Sequence, residues 1–163
     1  MPANRLSRAV GFLAPLPAPL RRRATTLLFN SQVRFAGTGG LRFETLTAEQ
    51  AVVVVRNRRK VQNHIGGVHA AAMALLAETA TGAVFGMNVP DAALPLLKSL
   101  HIDYLKRAHG DLRAVATLDA AQRARLQSEP KGDLVVAVRV TDQTGESPIA
   151  ATLAWAWVPK QRD

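Results

Sequence analysis

Cysteine is absent from the 163 residues. That removes disulfides, thiolate metal ligands and a cysteine nucleophile together. It is neutral between a reducing compartment and an export route. Aromatic residues are only 5% of the chain, which leaves few platforms on which nucleobases could stack. No apolar run reaches the ~20 residues that a membrane span needs. There is no HExxH pair, Cys/His cluster, GxSxG elbow or phosphate loop, so a metal site is not expected. Acid is missing from residues 1–43, which hold seven Arg; the first carboxylate is Glu44. The rest has 14 basic and 12 acidic residues and supplies only +2 of the net charge of +9. The excess therefore belongs to the N-terminal segment, where it bears on association and not on fold. With a nearly balanced remainder and few aromatics, a nucleic-acid partner is not expected.

The basic start could be mistaken for a targeting signal. Arg5 and Arg8 precede an apolar stretch, Ala9 to Leu20, and Arg21 to Arg23 follow it. Three prolines, Pro15, Pro17 and Pro19, split that stretch, and no convincing cleavage site is present. The expected location is cytoplasmic.

What is present is ordinary for one folded domain: 48% hydrophobic and 20% charged residues. Residues 1–28 read as a basic, partly helical extension and 29–160 as the main domain. Leu20 to Phe29 suits a short helix. Val33 to Phe35 and Leu41 to Thr45 alternate as half-buried strands do, with Gly37, Gly39 and Gly40 bending the chain between them. Val52 to Val55 is a compact β-branched run, read as a strand. Asn63 to Gly82, NHIGGVHAAAMALLAETATG, is the organising stretch. Its Ala, Leu and Met favour helix, and Gly82 reads as the stop. A helix that is apolar nearly all round is normally buried. Asp91 to Lys98 suggests one helical turn limited by Pro95. Strands then follow at Leu100 to Tyr104, Leu112 to Leu118, Leu134 to Val140 and Ile149 to Trp157. Asp119 is placed to cap a helix running to about Ser128. Four strands with short connections predict an antiparallel meander curved around the buried helix, an α+β arrangement.

Glu78 is the one carboxylate inside the apolar run. Burying it is costly, and a position in the last turn would place it against the negative end of the helix dipole. Both effects raise its pKa, as suits a general base or nucleophile. The alternative is a helix-end Glu pointing to solvent. For His69 the alternative is a helix-start histidine bonded to the backbone, and for Asn63 a turn former. His64, His101 and His109 read as structural. Nine residues separate His69 from Glu78, which places them on opposite sides of a helix and about 13 Å apart along it. If they share a site, two copies of the chain must supply it.

The Asn63-x5-His69-x8-Glu78 spacing, with glycines before an Ala/Leu-rich helix and four strands after it, resembles the hotdog-fold acyl-CoA thioesterase superfamily. The phenylacetate-pathway and hydroxybenzoyl-CoA enzymes are the nearest in pattern. With HIDYLKRAHGDLRA added, the chain is more similar still to an uncharacterised thioesterase-like family within that superfamily. The resemblance covers roughly Phe29 to Val158. It implies a curved sheet wrapped around one long helix, and a homodimer with shared sites that can pair into a tetramer. Glu78 would act as general base or nucleophile and Asn63 would place the water or carbonyl. The Ala70 N–H would polarise the thioester oxygen, and His69 would orient the loop. Gly67, Thr79, Arg58, Lys106 and Arg107 would contact the acyl-CoA substrate. No cofactor is implied, since CoA is part of the substrate. At position 70 the chain departs from the pattern, with Ala in place of the usual Gly. A module that binds acyl-CoA or a fatty acyl chain without turnover remains the alternative reading.

Overall fold

A computed structural model describes residues 4–160. Its elements run α1 (Arg5–Phe12), α2 (Ala18–Gln32), α3 (Arg34–Gly39), β1 (Arg42–Leu46), β2 (Gln50–Val55), a 3-10 turn (Arg59–Val61), α4 (Ala70–Gly86), β3 (Ala93–Tyr104), β4 (Leu112–Thr117), α5 (Ala120–Ser128), β5 (Gly132–Asp142) and β6 (Ile149–Pro159). The strands make one six-stranded sheet in the order β1-β2-β4-β5-β6-β3, and every neighbouring pair is antiparallel. Helix α4 lies against β2, β4, β5, β6 and β3. No helix among the described residues is long and apolar enough to cross a membrane.

Apolar alternation builds the contact between α4 and the sheet. Val53, Val55, Leu112, Ala114, Ala116, Val136, Leu153 and Trp157 meet Leu76, Ala77, Ala80, Val84 and Phe85 in one fully buried core. The small residues of α4 let the sheet come close. Phe85 sits between the two tryptophans, 5.7 Å from Trp155 and 6.2 Å from Trp157 between ring centroids.

Four expectations are corrected. The central helix does not stop at Gly82 but runs one turn further to Gly86. Gly82 is a packing seat: a Cβ there would stand 2.7 Å from the Trp155 ring. The helix ends where Asn88 donates its side-chain amide to Val84 O and Ala48 O. Val33 to Phe35 is not a strand, because α3 occupies 34–39 and closes on Gly40 at φ 71°, with the Leu41 N–H on Ala36 O. Asp91 to Lys98 holds no helical turn, because β3 begins at Ala93 and pairs with β6 along its whole length. Pro95 is tolerated because β3 is a sheet edge, where a missing N–H breaks no ladder. Finally, β4, β5 and β6 form a meander, but β3 lies beyond β6 and not beside β4.

Asp119 caps α5 as its position predicts. Its carboxylate accepts from the Gln122 N–H at 2.7 Å, and the Gln122 side chain accepts from the Asp119 N–H at 3.1 Å. A second carboxylate, Asp142, is almost fully buried at the β5–β6 turn. Burial raises its pKa, but the Thr144 hydroxyl and the N–H groups of His109 and Thr144 outweigh that and hold it at about 2. Its stabilising share is present above the ordinary value of 3.8 and is lost as pH falls through about 2. Asp142→Ala is therefore expected to lose about 2 kcal/mol at neutral pH. In a series of acid melts, the gap to wild type should narrow as pH drops from 3.8 to about 2.

Candidate functional site

Two regions of α4 hold the sequence-predicted residues. The first is its N-terminus. Asn63 Oδ1 accepts from the N–H groups of Ile65 (3.1 Å) and Gly67 (3.0 Å), while the Asn63 N–H donates to Gly67 O at 2.8 Å. Gly66 completes the turn at φ 77°. Asn63 is therefore the residue that folds the loop, and the Gly67 N–H is consumed in doing so. His69 is the N-cap of α4: its Nδ1 accepts from the Ala71 N–H at 3.0 Å. The Ala70 N–H, the first donor of the helix, has no acceptor among the described residues. Ala70 is exposed, and its carbonyl accepts from the Tyr104 hydroxyl at 3.1 Å. Tyr104 is a site residue that no catalytic motif in the sequence marks. Its place on the strand read as Leu100 to Tyr104 was the available signal.

The loop is braced from outside. Arg107 donates to Ile65 O at 2.9 Å and Asn57 donates its side-chain amide to Gly66 O at 3.1 Å. Arg107 thus serves the loop's geometry, and Lys106 is paired with Glu146. Of the three basic residues predicted near the substrate, only Arg58 has a side chain with no hydrogen bond or ion pair among the described residues. It belongs to a cluster with Arg23, Arg42 and Arg56 that the fold assembles from three separate stretches of the chain. Partial desolvation, then repulsion from Arg56, Arg58 and Arg23, lowers the pKa of Arg42.

The second region surrounds Glu78. Because α4 continues to Gly86, Glu78 is at mid-helix, and the helix dipole is no cause of its shift. Burial alone raises its pKa, with the Thr79 hydroxyl pulling modestly the other way. No side chain among the described residues forms an ion pair with it. The Thr79 hydroxyl is near enough to influence the carboxylate, yet its Oγ1 is buried without a hydrogen bond of full geometry. Both residues line a largely apolar cavity of about 370 Å³, open on one side, with Leu6, Phe29, Pro95 and Trp155 among its walls.

His69 lines a different cavity, of about 220 Å³, with Phe35, Lys60 and Leu75. One protomer thus keeps Glu78 and His69 apart, as nine intervening helical steps require. No cluster of metal-binding side chains occurs among the described residues.

Residues 21–158 match the family model described as Domain of unknown function (DUF4442). A solved protein from Pseudomonas aeruginosa, described as of unknown function and a probable thioesterase, is 28% identical. The match covers 90% of this chain and 98% of that one, with a TM-score of 0.75. A mutant form of another P. aeruginosa thioesterase matches at 18% identity and TM-score 0.68, over 83% of this chain and 94% of its own. A thioesterase from Haemophilus influenzae matches at 11% identity and TM-score 0.61, over 77% and 82%. The fold of this chain, mixed α/β with a six-stranded antiparallel sheet, is similar to that of these three solved proteins. No curated protein matches the chain significantly.

Proposed function

The chain belongs to the DUF4442 domain family, and on that premise we propose that it is an acyl-CoA thioesterase of the hotdog fold, working as a homodimer. The observation that carries the reading is Glu78: a half-buried carboxylate with a raised pKa, no ion-pair partner among the described residues and a largely apolar cavity beside it. Such a group is poised as a base. The thioesterases of the same architecture support the reaction class.

The open surface of the protomer supports a second copy. On β3, Leu97 and Leu100 pair with Trp155 and Leu153 of the inner face, yet both remain exposed. An unpaired edge carrying apolar side chains invites another strand. Ala71, Ala74 and Glu78 fall on one stripe of α4 that the sheet leaves partly uncovered. A dimer over that stripe and edge brings the Ala70 N–H of one copy towards Glu78 of the other. A dimer of dimers is compatible with this arrangement.

In the proposed reaction Glu78 takes a proton from water, and the hydroxide adds to the thioester carbonyl. The Ala70 N–H, at the positive end of α4, donates to the developing oxyanion. Collapse of the tetrahedral intermediate breaks the carbon–sulfur bond. The proton held by Glu78 goes to the departing CoA sulfur. Asn63 and His69 fix the loop and the helix start, Gly67 and Thr79 border the substrate, and Arg58 meets its phosphates. Lys106 and Arg107 add positive charge beside the same loop. No cofactor takes part. The alternative, an acyl carrier without turnover, draws on the Ala70 methyl, which narrows the approach to the donor.

Incubation with a panel of acyl-CoAs and a thiol reagent tests the proposal. Release of free thiol in proportion to enzyme is expected. Saturable binding without release would favour the carrier, and neither binding nor release would sink both readings.

A further inference from the structure

The Glu78 cavity has a direction. Glu78, Gly82 and Gly86 recur every four residues and so form one stripe along α4. All three line the cavity, with the Trp155 ring packed on Gly82. The stripe from Glu78 to Gly86 is about 12 Å long. The Glu78 carboxylate and the unpartnered Thr79 hydroxyl sit at one end of this stripe, and Gln32 is the other polar residue of the lining. Phe29, Pro95 and Trp155 make the walls apolar.

At the other end stands Leu6. Its Cδ2 lies 3.5 Å from where a Cβ on Gly86 would be. Leu6 belongs to α1, which lies outside the sheet and its central helix. One peg holds α1 in place: buried Asn4 donates to Gly86 O at 2.7 Å and Val89 O at 2.6 Å, and accepts from the Ser7 N–H at 2.7 Å. Asp91 adds a second tie, accepting from the Arg5 N–H at 2.9 Å and pairing with Arg8 at 3.3 Å. The polar atoms of the α1 start are thus spent on seating Leu6 over the end of the glycine stripe.

We infer that this cavity is a channel for an unbranched alkyl chain, and that Leu6, delivered by the N-terminal helix, is its stop and sets the chain length accepted. The inference rests on the proposed thioesterase reading for the identity of the head group, but not for the channel itself. Trp155, seated on Gly82, fills one side of the path, so a narrow, straight occupant fits beside it and a branched or aromatic acyl group would meet the indole. The basic N-terminal segment thereby acquires a role in specificity.

Binding of a graded series of saturated fatty acids to the full chain, by displacement of a fluorescent fatty acid, tests this without turnover. For the wild type, affinity should rise about fourfold per methylene until the chain meets Leu6, then level off. In Leu6→Ala, the first methylene beyond that break should again gain about fourfold. Leu6→Phe should move the break to shorter chains. Asn4→Ala, which frees α1 without touching the lining, should blur it. A break at the same length in wild type and the folded Leu6 variants would overturn the inference, as would an equal loss at all lengths. Thermal melts identify which variants fold, and the two Leu6 changes act in opposite directions, so one misfolded variant leaves the test decisive. If the break moves but no acyl-CoA is hydrolysed, the channel stands and the enzyme reading falls. If hydrolysis occurs and the break does not move, the reverse holds.

Discussion

Replacing Glu78 with Gln should cut thiol release from the best acyl-CoA by about a thousandfold, the scale of losing a general base. The amide keeps the shape of the side chain and cannot take a proton. Folding should survive, and the direction of the stability change follows from the pKa. Burial raises the Glu78 pKa above 4.5, so its neutral form is the better tolerated one in the fold. The stability tied to that form is present at low pH and is lost as pH rises through the folded pKa. The Gln variant should therefore melt at or above the wild type at neutral pH, with the difference fading in acid. In the wild type, kcat/KM should fall on the acid side with an apparent pKa above 4.5. Wild-type rates in Glu78→Gln would remove this residue from the chemistry.

The second large effect is expected at Ala70. Ala70 is the first residue of α4, and its N–H has no acceptor among the described residues. Proline is well accepted at that helix position, where a missing N–H costs the helix nothing. His69, at φ −66° and ψ 144°, already has the extended backbone that precedes proline. Ala70→Pro should delete the oxyanion donor and leave the helix, the His69 cap and the Tyr104 bond to Ala70 O in place. The rate should drop by about a hundredfold or more. The loss should appear in kcat with little change in KM, the pattern of an interaction made in the transition state. An unchanged melting temperature would separate this from unfolding. An unchanged rate would put the donor elsewhere.

Much of this was legible because its signals are local. One carboxylate in an apolar helical run marks Glu78, and Asp119 three residues before Gln122 marks the start of α5. The misread elements share a cause: a partner distant in sequence overrode a local signal. Gly82 resembles a helix stop until Trp155, more than seventy residues on, is seen to pack against it. Asp91 and Pro95 resemble a turn until β6 pairs with the chain from Ala93 onward. Lys106 looked free because Glu146, its partner, is forty residues away. At Glu78 the helix dipole has no effect because α4 runs on to Gly86, while burial acts all the same because it needs only apolar neighbours. Leu6 carried no sequence signal at all, since a leucine in a basic, proline-broken segment says nothing about which cavity it closes.

Whether each active site is built from two copies of the chain can be measured by mixing two dead proteins. Glu78→Gln and Ala70→Pro are co-refolded in equal amounts and assayed for thiol release. Random pairing gives mixed dimers in which one of two sites unites an intact Glu78 with an intact Ala70, so about a quarter of wild-type activity should return. A mixture as inactive as its components, with mixed dimers verified to be present, would contradict the account.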